Sequence, residues 1–409
     1  MINGRVTAPS DSRLGRLRGW MEARAAWLSR ALPPPPFMGP LSQVESMLAD
    51  QLLVEHAVSI ERARQAFAIS IAARHPPPRR EARASRSIPR GAGGVARRRT
   101  AAGASEKAAR AARHESDEGG ATKGDADTAA LEAVAEQLVS ELRARMECLP
   151  WDRPLLGLVA RTDQKLPTDA DEHMDDQALP PDVRRRLVAT LEKQTRNAGD
   201  YLVLADLFLS DLPSTRGKPL TVLDLGSGSG GFPISVARAA AGRPLRLVAS
   251  DVDPEYLALG ARGARDAGVL GISSEGPSVE FRRLDAFHLL RELGEWRPDV
   301  ITCTRTLHHL GVKGTARILA LSLQAADAIF FVDIARSISR LVMAAGAGLF
   351  SGNRHFAHDA VVSVRKAFTP VEMRLICACV PGAEELEIFY TAPAYLVARG
   401  SRGRRAAAG

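Results

Sequence analysis

A doubly wound α/β sheet is the fold class that this 409-residue sequence predicts for its second half, on three observations. The stretch Thr221-Val-Leu-Asp-Leu-Gly-Ser-Gly-Ser-Gly-Gly-Phe232 reads as a buried strand that breaks into a glycine-rich turn. Three further strand-like runs follow it, Leu245 to Asp251, Val279 to Ala286 and Asp299 to Leu310. Their carboxyl ends carry polar residues, and in open α/β sheets ligands bind beyond those ends. In the first element, Val222, Leu223 and Leu225 form the short apolar run of a strand covered on both faces. Gly226, Gly228 and Gly230 then permit backbone angles and a close ligand approach that a Cβ forbids. Phe232 to Ala241 continues as a helix, so the amides of the turn sit at a helix N-terminus.

The glycine spacing by itself admits two ligands. Gly226, Gly228 and Gly231 also satisfy the G-x-G-x-x-G pattern that seats a pyrophosphate. Asp224, two residues before the first glycine, repels a pyrophosphate but attracts the cationic methionyl end of S-adenosylmethionine, directly or through water. Asp251 closes the second strand 21 residues after Gly230, where a carboxylate accepts ribose hydroxyls in either cofactor. The third strand ends at Asp285, which can accept a hydrogen bond from an adenine amino group. The fourth reaches the same edge at Thr304, so Asp224, Asp251, Asp285 and Thr304 converge on one rim.

On D-x-G-x-G-x-G at Asp224 to Gly230, D-V-D-P at Asp251, L-D-A at Leu284 to Ala286 and L-H-H-L at Leu307, residues 180–400 resemble the class I SAM-dependent methyltransferases. The resemblance implies a Rossmann-like, doubly wound, seven-stranded sheet with an antiparallel last strand. It implies that Asp224, Gly226, Ser227, Gly228 and Gly230 hold the methionine moiety, Asp251 and Val252 the ribose, and Asp285 and Ala286 the adenine. Glu385 to Tyr390 and Ala394 to Arg399, joined by a turn, are similar to the terminal hairpin of that fold. A narrower resemblance rests on Glu172-His-Met-Asp-Asp176, Val332 to Ser337, His358-Asp359 and Ser363 to Pro370. It points to a bacterial subgroup associated with O-methylation of polyketide- or quinone-like small molecules in secondary metabolism. Arg305 stands where an apolar residue is expected, which leaves the substrate itself open.

The composition divides the chain. Residues 75–128 are rich in Arg, Ala, Gly, Pro and Ser with almost no large apolar side chain, and cannot bury enough surface to offset their ordering entropy. Residues 1–128 are therefore expected to be a largely disordered N-terminal region with a helical stretch near 41–74 that has no identified partner. A misassigned start is the alternative for the first hundred residues. A helical lead-in and cap at 129–215, the SAM-dependent domain at 216–400 and a disordered tail at 401–409 complete the expected organisation. Residues 1–128 carry 21 Lys and Arg against 13 Asp and Glu, while the remainder balances at 34 of each. The pI of about 9.7 thus reflects the N-terminal region, and a nucleic-acid substrate is not favoured for a neutral catalytic region. Four cysteines give no disulfide framework, no run suits a membrane span, and no signal peptide is evident, so a cytoplasmic protein is expected.

Methyl transfer to a phenol or enol requires loss of a proton as well as in-line alignment. His308, His309, His355 and His358 are the candidate bases, because imidazole titrates near neutral pH. His308 and His309 follow the fourth strand, where a pocket-lining role is the plainer alternative. His358 is preferred as base, set beside Asp359 in a loop between the fifth strand and the next helix. Arg336 and Arg365 hold a substrate carbonyl or pair with Asp333 and Asp359. Ile334 to Phe350 reads as an apolar helix that either roofs a greasy pocket or joins the core. His355-Phe-Ala-His-Asp359 is weak as a metal pattern, and no metal is expected. C-methylation of a quinol-type carbon, an RNA or protein methyltransferase tethered by the basic arm, and a SAM-binding module without catalysis stay open beside O-methylation. The oligomeric state is not readable.

Overall fold

The computed structural model describes residues 38–74, 125–150, 154–174, 176, 178–212, 218–240, 242–271, 276–391 and 394–401. The expectations for 1–37, 75–124 and 402–409 lie outside the described residues. Five parallel strands form the body of the sheet: β1 (Leu220–Leu225), β2 (Leu245–Asp251), β3 (Ser278–Arg283), β4 (Val300–Thr304) and β5 (Ala328–Ile334). β6 (Glu387–Thr391) and β7 (Tyr395–Ser401) complete seven strands in the order β3-β2-β1-β4-β5-β7-β6. β7 runs antiparallel to both of its neighbours. The order reverses at β1 and β4, so the glycine turn after β1 opens at the switch point where such sheets bind ligands.

The strands are apolar on both faces, and their period of two sends alternate residues to different layers. Leu223, Leu225, Ile301 and Phe331 join one buried cluster, while Val222, Leu247, Phe330 and Val332 join the other. The second layer is completed by two helices, Asp200–Asp211 and Gly231–Ala239, through Phe208 and Phe232. The first is completed by Leu307–Ala325 and by Pro370–Cys379, in which Cys377 and Cys379 are core residues.

The N-terminal helical stretch is present as expected, and the structure supplies the partner the sequence did not identify. It forms α1 (Met38–Glu55) and α2 (Ala57–Arg74), which pack on α3 (Asp125–Cys148) and on the Pro370–Cys379 helix. Leu52 and Phe67 are buried in the same cluster as the sheet residues. Thr369 Oγ1 donates to the Glu45 carboxylate at 2.7 Å, and Arg374 Nη2 donates to the Ser46 carbonyl at 3.1 Å. Periodicity identified the helices; their partners lie 85 to more than 300 residues away and left no local signal. The helix expected from residue 334 starts instead at Ile338, because Asp333 and Ile334 still pair with Leu396 and Tyr395 in the sheet. Ser337 caps it, its Oγ accepting the Arg340 amide at 3.1 Å.

Candidate functional site

The turn after β1 is built by short hydrogen bonds among its own side chains. Ser227 Oγ donates to Asp224 Oδ2 at 2.6 Å, and Thr302 Oγ1 donates to Asp224 Oδ1 at 2.7 Å. Burial pushes the Asp224 carboxyl up to about 7, against the pull of those two hydroxyls. Asp251 Oδ2 accepts the Gly228 amide at 2.8 Å and its Oδ1 accepts the Asp253 amide at 3.0 Å. Gly226 (φ +62°) lies so close to Thr306 that a Cβ would stand 2.5 Å from its Cγ2. Gly228 (φ +53°) has nothing within 4 Å on the side a Cβ would take, so its backbone is open to a ligand.

Gly226, Ser227, Gly228, Asp251 and Val252 line a cleft of about 1130 Å³, as do Ala286 and Thr304 farther along the rim. Single small-molecule sites run to roughly 300–1000 Å³, so this one has room for a cofactor and a second molecule. Asp224 and Gly230 lie behind the wall. Asp285 caps the Ala286–His288 turn, its carboxylate taken by the Phe287 amide at 2.9 Å and by His288 Nδ1 at 2.8 Å. Met343, Ala344 and Ala347 of the Ile338–Ser351 helix line the cleft, while Leu349 and Phe350 of the same helix face outward.

The same cleft is lined by His308 and His309, at the start of the helix after β4. His308 is buried, and Asp333 accepts both its amide and its Nδ1–H at 2.8 Å. Burial works to raise the Asp333 carboxyl, but the imidazole and amide of His308 hold it below the usual range. Glu172, which the sequence quoted in a motif but did not assign, brings Oε1 to 3.8 Å from His308 Nε2 and 3.6 Å from His309 Nδ1. It is 1% exposed.

His358 sits elsewhere. Its segment is not a loop: Asn353 caps a helix over Arg354–Lys366, accepting the amides of His355 and Phe356. That helix turns His358 away from the cleft wall, where it stacks on His173 at 4.1 Å with Nδ1 3.0 Å from Asp359. Asp359 accepts the backbone amides of His173 and Met174 at 2.8 and 3.0 Å, and Ser363 Oγ donates to Glu172 Oε2 at 2.7 Å. The two motif segments are thus one latch that holds Glu172 beneath the histidines. Arg336 pairs with Glu372 at 2.8 Å, not with Asp333, and Arg365 Nε donates to the Leu166 carbonyl at 2.9 Å. Arg305 takes a left-handed backbone (φ 59°) on the cleft wall and donates to Thr195 Oγ1 at 2.6 Å.

No protein-family model matches the chain, and no curated protein does. Among solved structures it is similar to the magnesium protoporphyrin IX methyltransferase ChlM from Synechocystis PCC 6803 with bound SAH. That match has 17% identity, covers 56% of this chain and 91% of that one, and has a TM-score of 0.33. The chain is also similar to the plantazolicin methyltransferase BpumL in complex with SAH, at 13% identity over 63% of this chain and 83% of that one, with a TM-score of 0.41. Likeness at this level carries no argument about activity. The class of fold rests on the sheet itself: a Rossmann-like, doubly wound, seven-stranded sheet with β7 reversed.

Proposed function

We propose that this protein is a SAM-dependent methyltransferase that methylates a hydroxyl oxygen of a phenolic or enolic small molecule, of polyketide or quinone type. One observation carries the reading: a single cleft joins the open glycine turn and Asp251 to the Glu172, His308 and His309 group. The residues fit the cofactor, since Gly228 leaves an open cradle and Thr304 Oγ1 is buried with no partner among the described residues. Bound there, SAM would supply a methyl group on a sulfonium, with a neutral thioether as leaving group for in-line attack by the acceptor oxygen.

The chain's own part is to hold and to deprotonate. Asp251 keeps acceptor capacity for ribose hydroxyls, and Val252 and Ala286 flank the base. Asp224 works at second hand, fixing Ser227 and the turn. In the same cleft His308, oriented by Asp333, and its neighbours Glu172 and His309 draw off the proton of the acceptor hydroxyl. The apolar side chains of the Ile338–Ser351 helix that face the cleft suit a ring system and not a phosphate backbone. The balanced charge of residues 129–409 favours a small molecule over nucleic acid in the same way.

Calorimetry tests the first half. SAM should bind the purified protein, and Asp251→Ala should weaken it by about 1.5–3 kcal/mol for a charge-assisted hydrogen bond lost. Tight NAD binding with no SAM binding would overturn the reading. For the second half, labelled SAM and a cell extract should place label in the small-molecule fraction; label in RNA or protein would move the substrate class.

A further inference from the structure

We propose that Glu172, His308 and His309 form a binding site for a divalent transition-metal ion of the zinc class, with its open coordination position facing the cleft. Glu172 Oε1 is buried with no hydrogen-bond partner among the described residues, while Oε2 is satisfied by Ser363. A buried carboxylate oxygen left in that state is costly. The nearest groups are His308 Nε2 at 3.8 Å and His309 Nδ1 at 3.6 Å, both too far for a hydrogen bond. Because His308 Nδ1 is taken by Asp333, its Nε2, 3.8 Å from that oxygen, is the ring nitrogen available to an ion.

Two imidazole nitrogens and a carboxylate oxygen all lie within 4.8 Å of one another. Zinc binds such atoms at about 2.0–2.2 Å, which sets tetrahedral ligand pairs roughly 3.4 Å apart. Closing 3.6 and 3.8 Å to that spacing takes only a few tenths of an ångström. The supporting groups are present as well: Asp333 on the outer nitrogen of His308, and Ser363 on the outer oxygen of Glu172. Lys366 Nζ, 3.9 Å from the same oxygen, adds one positive charge but no hydrogen bond at that distance. A doubly charged cation ligated by all three groups meets the need of the orphaned oxygen more completely than this distant ammonium.

The other cluster of similar composition, His173, His358 and Asp359, lacks this character. Its carboxylate already accepts two backbone amides, and His173 and His358 are about a third exposed or more. For the binding itself the methyl-transfer reading is not needed. The role rests on it: with the ion bound, the imidazoles and carboxylate are committed as ligands, and a hydroxyl held at the open position would ionise at lower pH and release its proton to water in place of direct transfer to those residues.

The test uses the full chain, stripped with a chelator and titrated with Co²⁺, then with Zn²⁺. The expected result is stoichiometric binding with the visible absorption of tetrahedral Co²⁺, displaced by Zn²⁺. Glu172→Gln and His309→Ala should each lower affinity more than 100-fold, and Asp333→Asn about 10- to 100-fold, with circular dichroism confirming that each variant is folded. His358→Ala should leave the affinity unchanged. Absence of binding to the folded wild type, or binding that survives Glu172→Gln and His309→Ala, overturns the proposal. SAM affinity, measured on the same samples, separates failure of the ion site from failure of the methyltransferase reading.

Discussion

His308 and His358 have the same side chain and each touches a carboxylate, yet their surroundings assign them different work. His308 is 4% exposed, with Asp333 behind it and the cleft before it. His358 faces His173 and solvent on a helix. His308→Ala should therefore lower turnover by about 10²- to 10⁴-fold with SAM affinity unchanged, while His358→Ala should stay near wild type in a steady-state assay. A large loss in His358→Ala alone would return the role to the residue the sequence favoured. The carboxylates of the glycine turn were legible because local spacing fixes them. The choice among histidines was not, because Asn353 capping turned a presumed loop into a helix and rotated His358 off the wall. Glu172 was visible as a letter in a motif; its meaning depended on Ser363, 191 residues away.

Among the elements, the α1–α2 segment carries a pH-sensitive attachment. Glu45 is held at about 7, first by burial and then by the negative charge of Glu372, against an ordinary value of 4.5. The docked segment thus holds a proton that the undocked one releases. Its contribution to docking is full below pH 4.5 and is lost as pH rises through about 7. Hydrogen exchange across residues 38–74 should quicken from pH 5.5 to 8 beyond the intrinsic chemical dependence, and Glu45→Gln should flatten the excess. A wild-type profile that matches the variant would show that Thr369 and Arg336 already compensate the charge. The strand elements were the most legible part of the chain, since short apolar runs ending in Asp leave little choice of class or order. Helix contacts were the least legible, because an apolar stripe names a face and not its partner.

For the whole molecule, those contacts change what counts as the domain. Sequence reasoning set the boundary after residue 128, yet Phe67 is 1% exposed in the core cluster that also contains Leu131, Leu375 and Leu396. Phe67→Ala should cost about 3–5 kcal/mol in denaturant unfolding. Removal of residues 1–128 should cost more, because it strips one face of α3 and of the Pro370–Cys379 helix. A truncated protein as stable as the full chain would mean that this helical segment packs without contributing.

The latch between Glu172 and Ser363 also has a schedule. The glycine turn and its partners through Thr306 leave the ribosome as a nearly continuous block, and their parallel strands can pair early. Glu172 emerges before that block, and the hydroxyl that receives it emerges 191 residues later, about 10–40 s at roughly 5–20 residues per second. During synthesis the chain therefore owns its glycine turn before it owns the hydroxyl that fixes Glu172. A nascent chain stalled before residue 354 would have Glu172 without the Ser363 partner that holds it beside His308 and His309.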